Sequence, residues 1–259
     1  MELFDTHAHL TFEQLAGDVE AVLRRSRDAG VTGWITVGTD AEHNRKVVRL
    51  IEKFDNLYGT VGIHPHYAKD VTNDDIAELK QLTKNEKIVA IGETGLDFHY
   101  NFSKQQAQVE LFRRQLQIAA ELNMPIIVHS REAFEQTMSI LDEFAGKIKN
   151  VVLHCFSGTA EETEIAVNKG YYISFTGVVT FKNAAKARQA AKLVPLDRLM
   201  LETDCPYMSP EPVRGQKINE PALMIHTAAK LAEIKEVNLE DFTEAVKKNT
   251  QKFFGVFSA

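Results

Sequence analysis

The stretch Leu3-Phe4-Asp5-Thr6-His7-Ala8-His9 begins with an apolar run and ends in two histidines. Side chains two residues apart in an extended strand project to the same face. His7 and His9 can therefore direct both imidazoles at one point, as a bound metal ion requires. A chance pair of surface histidines explains this stretch equally well. The interpretation therefore depends on whether further ligands occur at equivalent positions later in the chain.

Short apolar runs alternate with longer helical patterns along the whole sequence. Several runs are almost entirely apolar, as expected for strands buried on both faces of a parallel sheet. We expect strands at Leu3–Asp5, Trp34–Val37, Tyr58–Val61, Ile88–Ile91, Ile126–Val128, Val151–Leu153, Tyr172–Ser174 and Leu199–Leu201. Eight strand–helix pairs in a chain of 259 residues match the size and rhythm of a (β/α)8 TIM barrel of the α/β class. A doubly wound open sheet is the alternative.

No Ser/Gly linker or low-complexity segment divides the chain, so we expect a single domain over residues 1–259. Ser103 with Gln106, and Thr159 with Glu162, match the capping box that begins a helix. The proline-rich stretch Pro206–Pro221 is typical of a long loop. The last two helices are expected at Ala222–Ile234 and Leu239–Phe254.

Composition excludes several classes of protein. A net charge of −6 argues against a protein that coats nucleic acid by bulk electrostatics, but it leaves room for local binding of a strand end. The two cysteines, Cys155 and Cys205, exclude a disulfide scaffold, suit a reducing compartment and are expected to be small buried side chains. Neither a signal peptide nor a membrane-spanning run is evident. We therefore expect a cytoplasmic protein without a membrane or obligate protein partner.

Histidines and carboxylates concentrate where the predicted strands end. In a TIM barrel, catalytic residues lie at the C-terminal ends of the strands and in the loops that follow. The carboxylates there include Glu93 after strand 4 and Asp204 after strand 8. Six of the nine histidines fall at these ends: His7, His9, His64, His66, His129 and His154. Such a concentration favours a metal site.

The donor types indicate which metals fit. Imidazoles combined with carboxylates favour zinc, manganese, iron, cobalt or nickel, without excluding magnesium. Four strand-end histidines with Glu93 and Asp204 exceed what one tetrahedral ion needs, and two divalent ions that share Glu93 accommodate them. Two ions about 3.5–4 Å apart can activate a water and stabilise both the attacking and the leaving oxygen. Asp204 could bind one ion and accept the proton of that water.

Several of these residues also have a purely structural interpretation. A lone His129 or His154 is more often a hydrogen-bonded core histidine than a ligand. Arg131 either pairs with Glu132 or Glu135 on the following helix or binds a phosphate group. The sequence leaves these alternatives open.

Taken together, the motifs resemble the TatD family of metal-dependent deoxyribonucleases, within the amidohydrolase-like barrel superfamily. The matching segments are Asp5–Leu10, Gly62–His66, Ala90–Asp97, Pro125–Arg131, Leu153–Gly158 and Glu202–Tyr207. The resemblance implies two divalent ions held by His7, His9, Glu93, His129, His154 and Asp204. It also implies hydrolysis of DNA phosphodiesters at the 3′ ends of single strands, with His64, His66 and Arg131 near a phosphate. Two positions depart from the family pattern: Ile218 stands where a basic residue is common, and Cys205 where alanine is common.

Two other functions remain as hypotheses. The same site could hydrolyse an amide, ester or lactone, including an aminoacyl ester on tRNA, because one barrel hosts many chemistries. Positive charge from His64, His66 and Arg131 favours a phosphate substrate instead. A non-catalytic metal-binding or nucleic-acid-binding module would not need the full ligand set with a carboxylate available as a base.

Overall fold

The computed structural model describes residues 2–256. Within that range, one sheet contains eight strands in chain order, and the pairs whose register is defined are parallel. Helices connect the strands, so the chain is a (β/α)8 barrel, which confirms the predicted fold class. The strands are β1 (Leu3–Ala8), β2 (Val31–Val37), β3 (Leu57–Val61), β4 (Ile88–Asp97), β5 (Ile126–Arg131), β6 (Val151–Leu153), β7 (Tyr172–Phe175) and β8 (Leu199–Leu201).

The strands alternate with helices of very different length. In chain order they are α1 (Glu13–Ala16), α2 (Val19–Asp28), α3 (Ala41–Ile51), α4 (Asn73–Leu82), α5 (Gln105–Leu122), α6 (Phe134–Glu143), α7 (Ala160–Asn168), α8 (Ala185–Leu193), α9 (Met224–Ile234) and α10 (Leu239–Phe254). Short 3₁₀ segments lie at Pro65–Asp70, Gly177–Thr180, Leu196–Arg198 and Pro221–Leu223.

The chain groups into two compact units. One is Val37–His154, which contains β3 to β6 and α3 to α6. All ten residues of β4 are buried in this unit, and Phe112 and Leu116 of α5 are fully buried. The other unit consists of the described residues up to Thr36 and from Cys155 onward. The expectation of a single domain stays a prediction.

Large buried side chains pack in the unit that contains the described residues up to Thr36 and from Cys155 onward. Trp34 of β2 is buried, and its indole N–H donates a hydrogen bond of 2.8 Å to the Ser26 hydroxyl of α2. Phe242 and Phe253 of α10 are fully buried. Burying side chains of this size stabilises a fold by roughly 2–3 kcal/mol each.

The predicted strands are all present, but several of them are longer than expected. Val151–Leu153 and Leu199–Leu201 have the predicted bounds, whereas β1, β4 and β5 continue through the polar residues that follow their apolar runs. Part of the extension of β4 is paired to β5: Asp97, for example, lies opposite Arg131.

One of the two predicted capping boxes is confirmed. Thr159 and Glu162 exchange the expected side-chain and backbone hydrogen bonds at the start of α7. The box at Ser103 is wrong, because α5 begins one residue later and its N-cap, Lys104, makes no side-chain cap. The Ser103 hydroxyl instead donates to the His66 carbonyl (2.8 Å).

The C-terminal part of the chain agrees with the predicted pattern. The final helix has the predicted bounds, and α9 begins two residues later than expected because Pro221–Leu223 forms a 3₁₀ turn. Residues 206–220 contain no helix or regular strand, as predicted for this loop. No helix within residues 2–256 has the length and apolar character needed to span a membrane.

Candidate metal centre

The first donor cluster lies where the C-terminal end of β1 meets the residues that follow β8. The backbone N–H of Asp204 donates to the His7 carbonyl (2.9 Å), and the N–H of His9 donates to the Cys205 carbonyl (2.8 Å). This parallel pairing carries the strand order around from β8 to β1. It also sets the Asp204 carboxylate beside the two imidazoles.

The side-chain atoms of this cluster are buried and close together. His7 Nε2 lies 3.3 Å from His9 Nε2, and the Asp204 Oδ1 atom lies 3.2 Å from His9 Nε2 and 3.7 Å from His7 Nε2. Ligand atoms bound tetrahedrally at 2.0–2.1 Å from an ion are about 3.3 Å apart. The three donors are therefore spaced as they would be around one divalent ion.

A buried hydrogen-bond network holds this cluster in place. The Asp5 carboxylate accepts hydrogen bonds from the Thr203 N–H (3.0 Å), from the Thr203 hydroxyl and from the His7 N–H (3.3 Å). Burial raises the pKa of Asp5 to about 7. On the other side, the Phe12 ring stacks on His9 with centroids 4.5 Å apart. Asp5 and Thr203 were not predicted to have a role at the site, although both lie inside the motifs that carry the ligands.

The second donor cluster is centred on Glu93 of β4. Its Oε1 atom lies 2.7 Å from His154 Nε2, 3.0 Å from His129 Nδ1 and 3.4 Å from His64 Nε2. His129 Nδ1 and His154 Nε2 are themselves 3.4 Å apart. The structure therefore brings the predicted ligands Glu93, His129 and His154 together.

His64 belongs to this cluster as well, although the sequence assigned it to substrate binding. The donor atoms of His64, Glu93 and His129 all lie within 4.8 Å of one another. Burial lowers the pKa of His64 to about 4, so its imidazole is neutral at neutral pH. A neutral imidazole can bind a metal. It does not supply the positive charge that would attract a phosphate to His64.

The electrostatics of Glu93 suit a metal ligand. Burial would raise the pKa of its carboxyl group, but the neighbouring His154 and His64, together with histidine hydrogen bonds, outweigh burial and hold the pKa well below its ordinary value. Glu93 is therefore ionised at neutral pH. An ionised carboxylate among imidazoles is a donor set for zinc, manganese, cobalt or nickel.

Asp97 completes the second cluster from outside and was missed as a functional residue. One of its oxygens, Oδ2, lies 3.1 Å from His129 Nε2 and 2.9 Å from His66 Nε2. Although burial opposes it, hydrogen bonding from both histidines lowers the pKa of Asp97. A carboxylate on the far nitrogen of a ligand histidine fixes its ring orientation and tautomer. His66 is thus held by Asp97 at the edge of the cluster.

Arg131 occupies a different environment from the buried donors. It is exposed at the end of β5, and its guanidinium group lies over the Tyr100 ring, 4.6 Å from the centroid. Arg131 forms no salt bridge with Glu132 or Glu135, or with any other residue among residues 2–256. Glu132 pairs with His99 instead. Its predicted role in binding substrate stays a prediction.

The two cysteines differ in burial. Cys205 is fully buried, as predicted, and burial raises the pKa of its thiol. Cys155 is only partly buried; it has a left-handed backbone with φ of 45°, and its N–H donates to Glu202 (2.6 Å). The two cysteines do not form a disulfide with each other.

A parallel barrel with buried imidazole and carboxylate donors at its strand ends is the architecture of metal-dependent barrel hydrolases. Within that class the chain belongs to the TatD family, since the family model described as "TatD related DNase" matches residues 4–255. The expected family is confirmed, and the protein is a metal-dependent hydrolase.

Individual relatives and structures agree with this assignment. An uncharacterized metal-dependent hydrolase of Bacillus subtilis, YabD, is 41% identical over 254 residues, which cover 98% of this chain and 99% of the relative. A protein of Pantoea ananatis named 3′-5′ ssDNA/RNA exonuclease TatD is 38% identical over 259 residues, covering 98% of this chain and all of the relative. The crystal structure of the TatD homologue YjjV from Escherichia coli superposes with a TM-score of 0.92 at 32% identity, over 98% of both chains.

Proposed function

We propose that this hydrolase cleaves phosphodiester bonds of DNA, removing nucleotides from the 3′ ends of single strands with the help of two divalent ions. The observation that carries the proposal is the presence of two donor clusters, each of which brings imidazole nitrogens within 2.7–3.7 Å of a carboxylate oxygen. The name of the Pantoea ananatis relative supports a nucleic-acid substrate.

The proposed ligands divide between the two clusters. His7, His9 and Asp204 would hold one ion, and Glu93, His129 and His154 the other, with His64 as a further donor beside Glu93. A shared role of Glu93 for both ions stays a prediction from the sequence. When bound, zinc, manganese, magnesium, nickel or cobalt would lower the pKa of water and stabilise negative charge on phosphate oxygens.

The side chains have separate tasks in this reaction. Asp204 would accept the proton of the attacking water, because its carboxylate lies among the donors of the first cluster. Arg131 binds a phosphate of the strand, since its guanidinium group is exposed and offers a planar pair of donors. His66, fixed by Asp97, contributes an N–H or a lone pair at the edge of the cluster.

A panel of substrates and metals tests the proposal. Purified protein is stripped with a chelator, reloaded with one metal at a time and assayed on single-stranded DNA, duplex DNA, RNA and small esters and amides. We expect metal-dependent release of nucleotides from the 3′ end of single-stranded DNA. Cleavage of only the esters or amides would replace this proposal by the amide, ester or lactone hydrolase.

The ligand role of Glu93 is tested in the same assay. Glu93→Ala should abolish hydrolysis, while circular dichroism shows a folded chain. Glu121→Ala is the matched control, because Glu121 lies on α5 and its carboxylate pairs only with surface groups. Full activity of Glu93→Ala in preparations free of other nucleases would contradict the metal-assisted mechanism.

A further inference from the structure

An aromatic surface lies on the loop that follows β4, beside the second donor cluster. The Tyr100 and Phe102 side chains are 49% and 56% exposed, unusually high for large aromatic residues. Their rings are parallel within 1°, with centroids 5.4 Å apart. The Arg131 guanidinium group lies over Tyr100. We refer to these three side chains as the aromatic platform.

Buried side chains fix the loop that presents the platform. Asp97 Oδ1 accepts hydrogen bonds from the backbone N–H groups of His99 (3.0 Å) and Tyr100 (2.9 Å). The buried amide of Gln108 accepts from the Asp97 N–H (2.8 Å) and donates to the carbonyls of Asp97 (3.0 Å) and Ser103 (2.8 Å). Both ends of the loop are thus tied to the barrel. The rings are pre-positioned, which lowers the entropic cost of using them for binding.

The platform is directly connected to the donor cluster. The His66 ring stands perpendicular to both aromatic rings, 4.7 Å from the Phe102 centroid and 5.6 Å from the Tyr100 centroid. His66 in turn shares the Asp97 carboxylate with His129, a proposed metal ligand. A group stacked on the platform would therefore lie next to the bond that the proposed function cleaves.

The charge of the platform is complementary to an anionic chain. Arg131 is not neutralised by a carboxylate within the described residues, and the nearby acids are already engaged: Glu132 binds His99, and Asp97 binds two histidines. Exposed aromatic rings beside an available guanidinium group are the combination that binds single-stranded nucleic acid. The rings stack on bases and the cation contacts the backbone.

We propose that Tyr100 and Phe102 stack on nucleobases of a single-stranded substrate, with Arg131 contacting the adjacent phosphate. This inference rests on the proposed function and adds its selectivity. Bases in a duplex are already stacked on their neighbours, so the platform selects unpaired strands. Every base offers an aromatic face, so the selection tolerates any sequence and does not separate DNA from RNA.

The test compares two strands that differ only in their bases. One is a short labelled thymidine strand, and the other has the same length and backbone but consists of abasic nucleotides. Tyr100→Ala should lower kcat/KM on the thymidine strand by about 5- to 150-fold, the range that corresponds to loss of one stacked base. It should lower kcat/KM on the abasic strand by a clearly smaller factor, because that strand keeps only the phosphate contact of Arg131, which lies over Tyr100. Phe102→Ala should act in the same direction, and Tyr100→Trp should restore activity on the thymidine strand.

The control separates stacking from other effects. Ile165→Ala removes another exposed apolar side chain, 39% exposed on α7, and should change neither strand. If Tyr100→Ala disturbed the metal ligands or only the position of Arg131, both strands would be cleaved more slowly by the same factor. An equal fall on the two strands, or no fall on either, overturns the platform.

Binding without cleavage distinguishes failure of the platform from failure of the proposed function. In the presence of chelator, fluorescence anisotropy should show that wild-type protein binds the thymidine strand more tightly than the abasic strand and that Tyr100→Ala removes the difference. If no strand is cleaved with any metal, the proposed function is wrong, but this difference still supports the platform. Equal affinity of the wild-type protein for both strands overturns the platform even where cleavage occurs.

Discussion

The most stringent test of the local architecture concerns Gln115, a fully buried amide on α5. Its Oε1 atom accepts the Ile63 N–H (2.8 Å), and its Nε2 atom donates to the Ile63 carbonyl (2.9 Å) and the Thr94 hydroxyl (2.6 Å). All three residues are buried. Ile63 directly precedes His64, so one amide satisfies the backbone at the point where the chain leaves β3 for the donor cluster.

The cost of removing this amide can be worked out from those contacts. Gln115→Leu keeps most of the side-chain volume but leaves the Ile63 N–H and C=O buried without their partner. Each unsatisfied buried group costs about 1–3 kcal/mol. We expect the free energy of unfolding to fall by about 2–6 kcal/mol.

Urea denaturation followed by circular dichroism measures this change. Gln117→Leu is the matched control, since Gln117 lies two residues away on the same helix, is exposed and bonds only Glu121. Exposed substitutions of this kind change the free energy of unfolding by less than about 0.5 kcal/mol. A loss below about 1 kcal/mol for Gln115→Leu, or a loss equal to that of Gln117→Leu, would refute the assignment of the Ile63 backbone to this amide.

Two further predictions concern the site itself. Arg131→Ala should raise KM for a single strand while elemental analysis finds the metal content unchanged, because Arg131 is exposed and touches none of the donor atoms; loss of metal would show that its position has been misjudged. His9→Ala should lower the metal content by about half, since it removes one of three donors from the first cluster and leaves the Glu93 cluster intact; retention of the full metal content would argue that His9 is not a ligand.

The apolar strands could be predicted because burial on both faces leaves an unmistakable run of hydrophobic residues. That hydrophobic signal is missing from the polar strand ends that carry the candidate ligands. The prediction ended strand 4 at Ile91, yet β4 continues to Asp97, with buried polar residues of which Thr94 and Asp97 are paired to β5. Polar side chains inside a strand look like a loop in the sequence. Only their shared burial reveals the longer strand.

The Ser103 capping box failed for a related reason. Its spacing to Gln106 satisfies the local rule, but the hydroxyl makes a hydrogen bond to His66, 37 positions earlier in the chain. The N–H of Lys69 also donates to that hydroxyl (3.0 Å). A tertiary contact thus outweighed the local one. Thr159, whose surroundings are exposed, had no such competitor, and its capping box formed as predicted.

The pattern Glu93-x-Gly95-x-Asp97 contains a signal for Asp97 that the sequence prediction did not use. Alternation along a strand predicts that the two carboxylates share a face, and in the structure both reach His129, Glu93 at Nδ1 (3.0 Å) and Asp97 at Nε2 (3.1 Å). The glycine between them lies opposite His129, with φ of +131°, and a side chain there would collide with the His129 carbonyl oxygen. Glycine at this position therefore lets β5 approach closely enough for one imidazole to bind two carboxylates. The spacing identifies the second carboxylate, but its partner follows only from the register of β4 against β5, which the sequence does not contain.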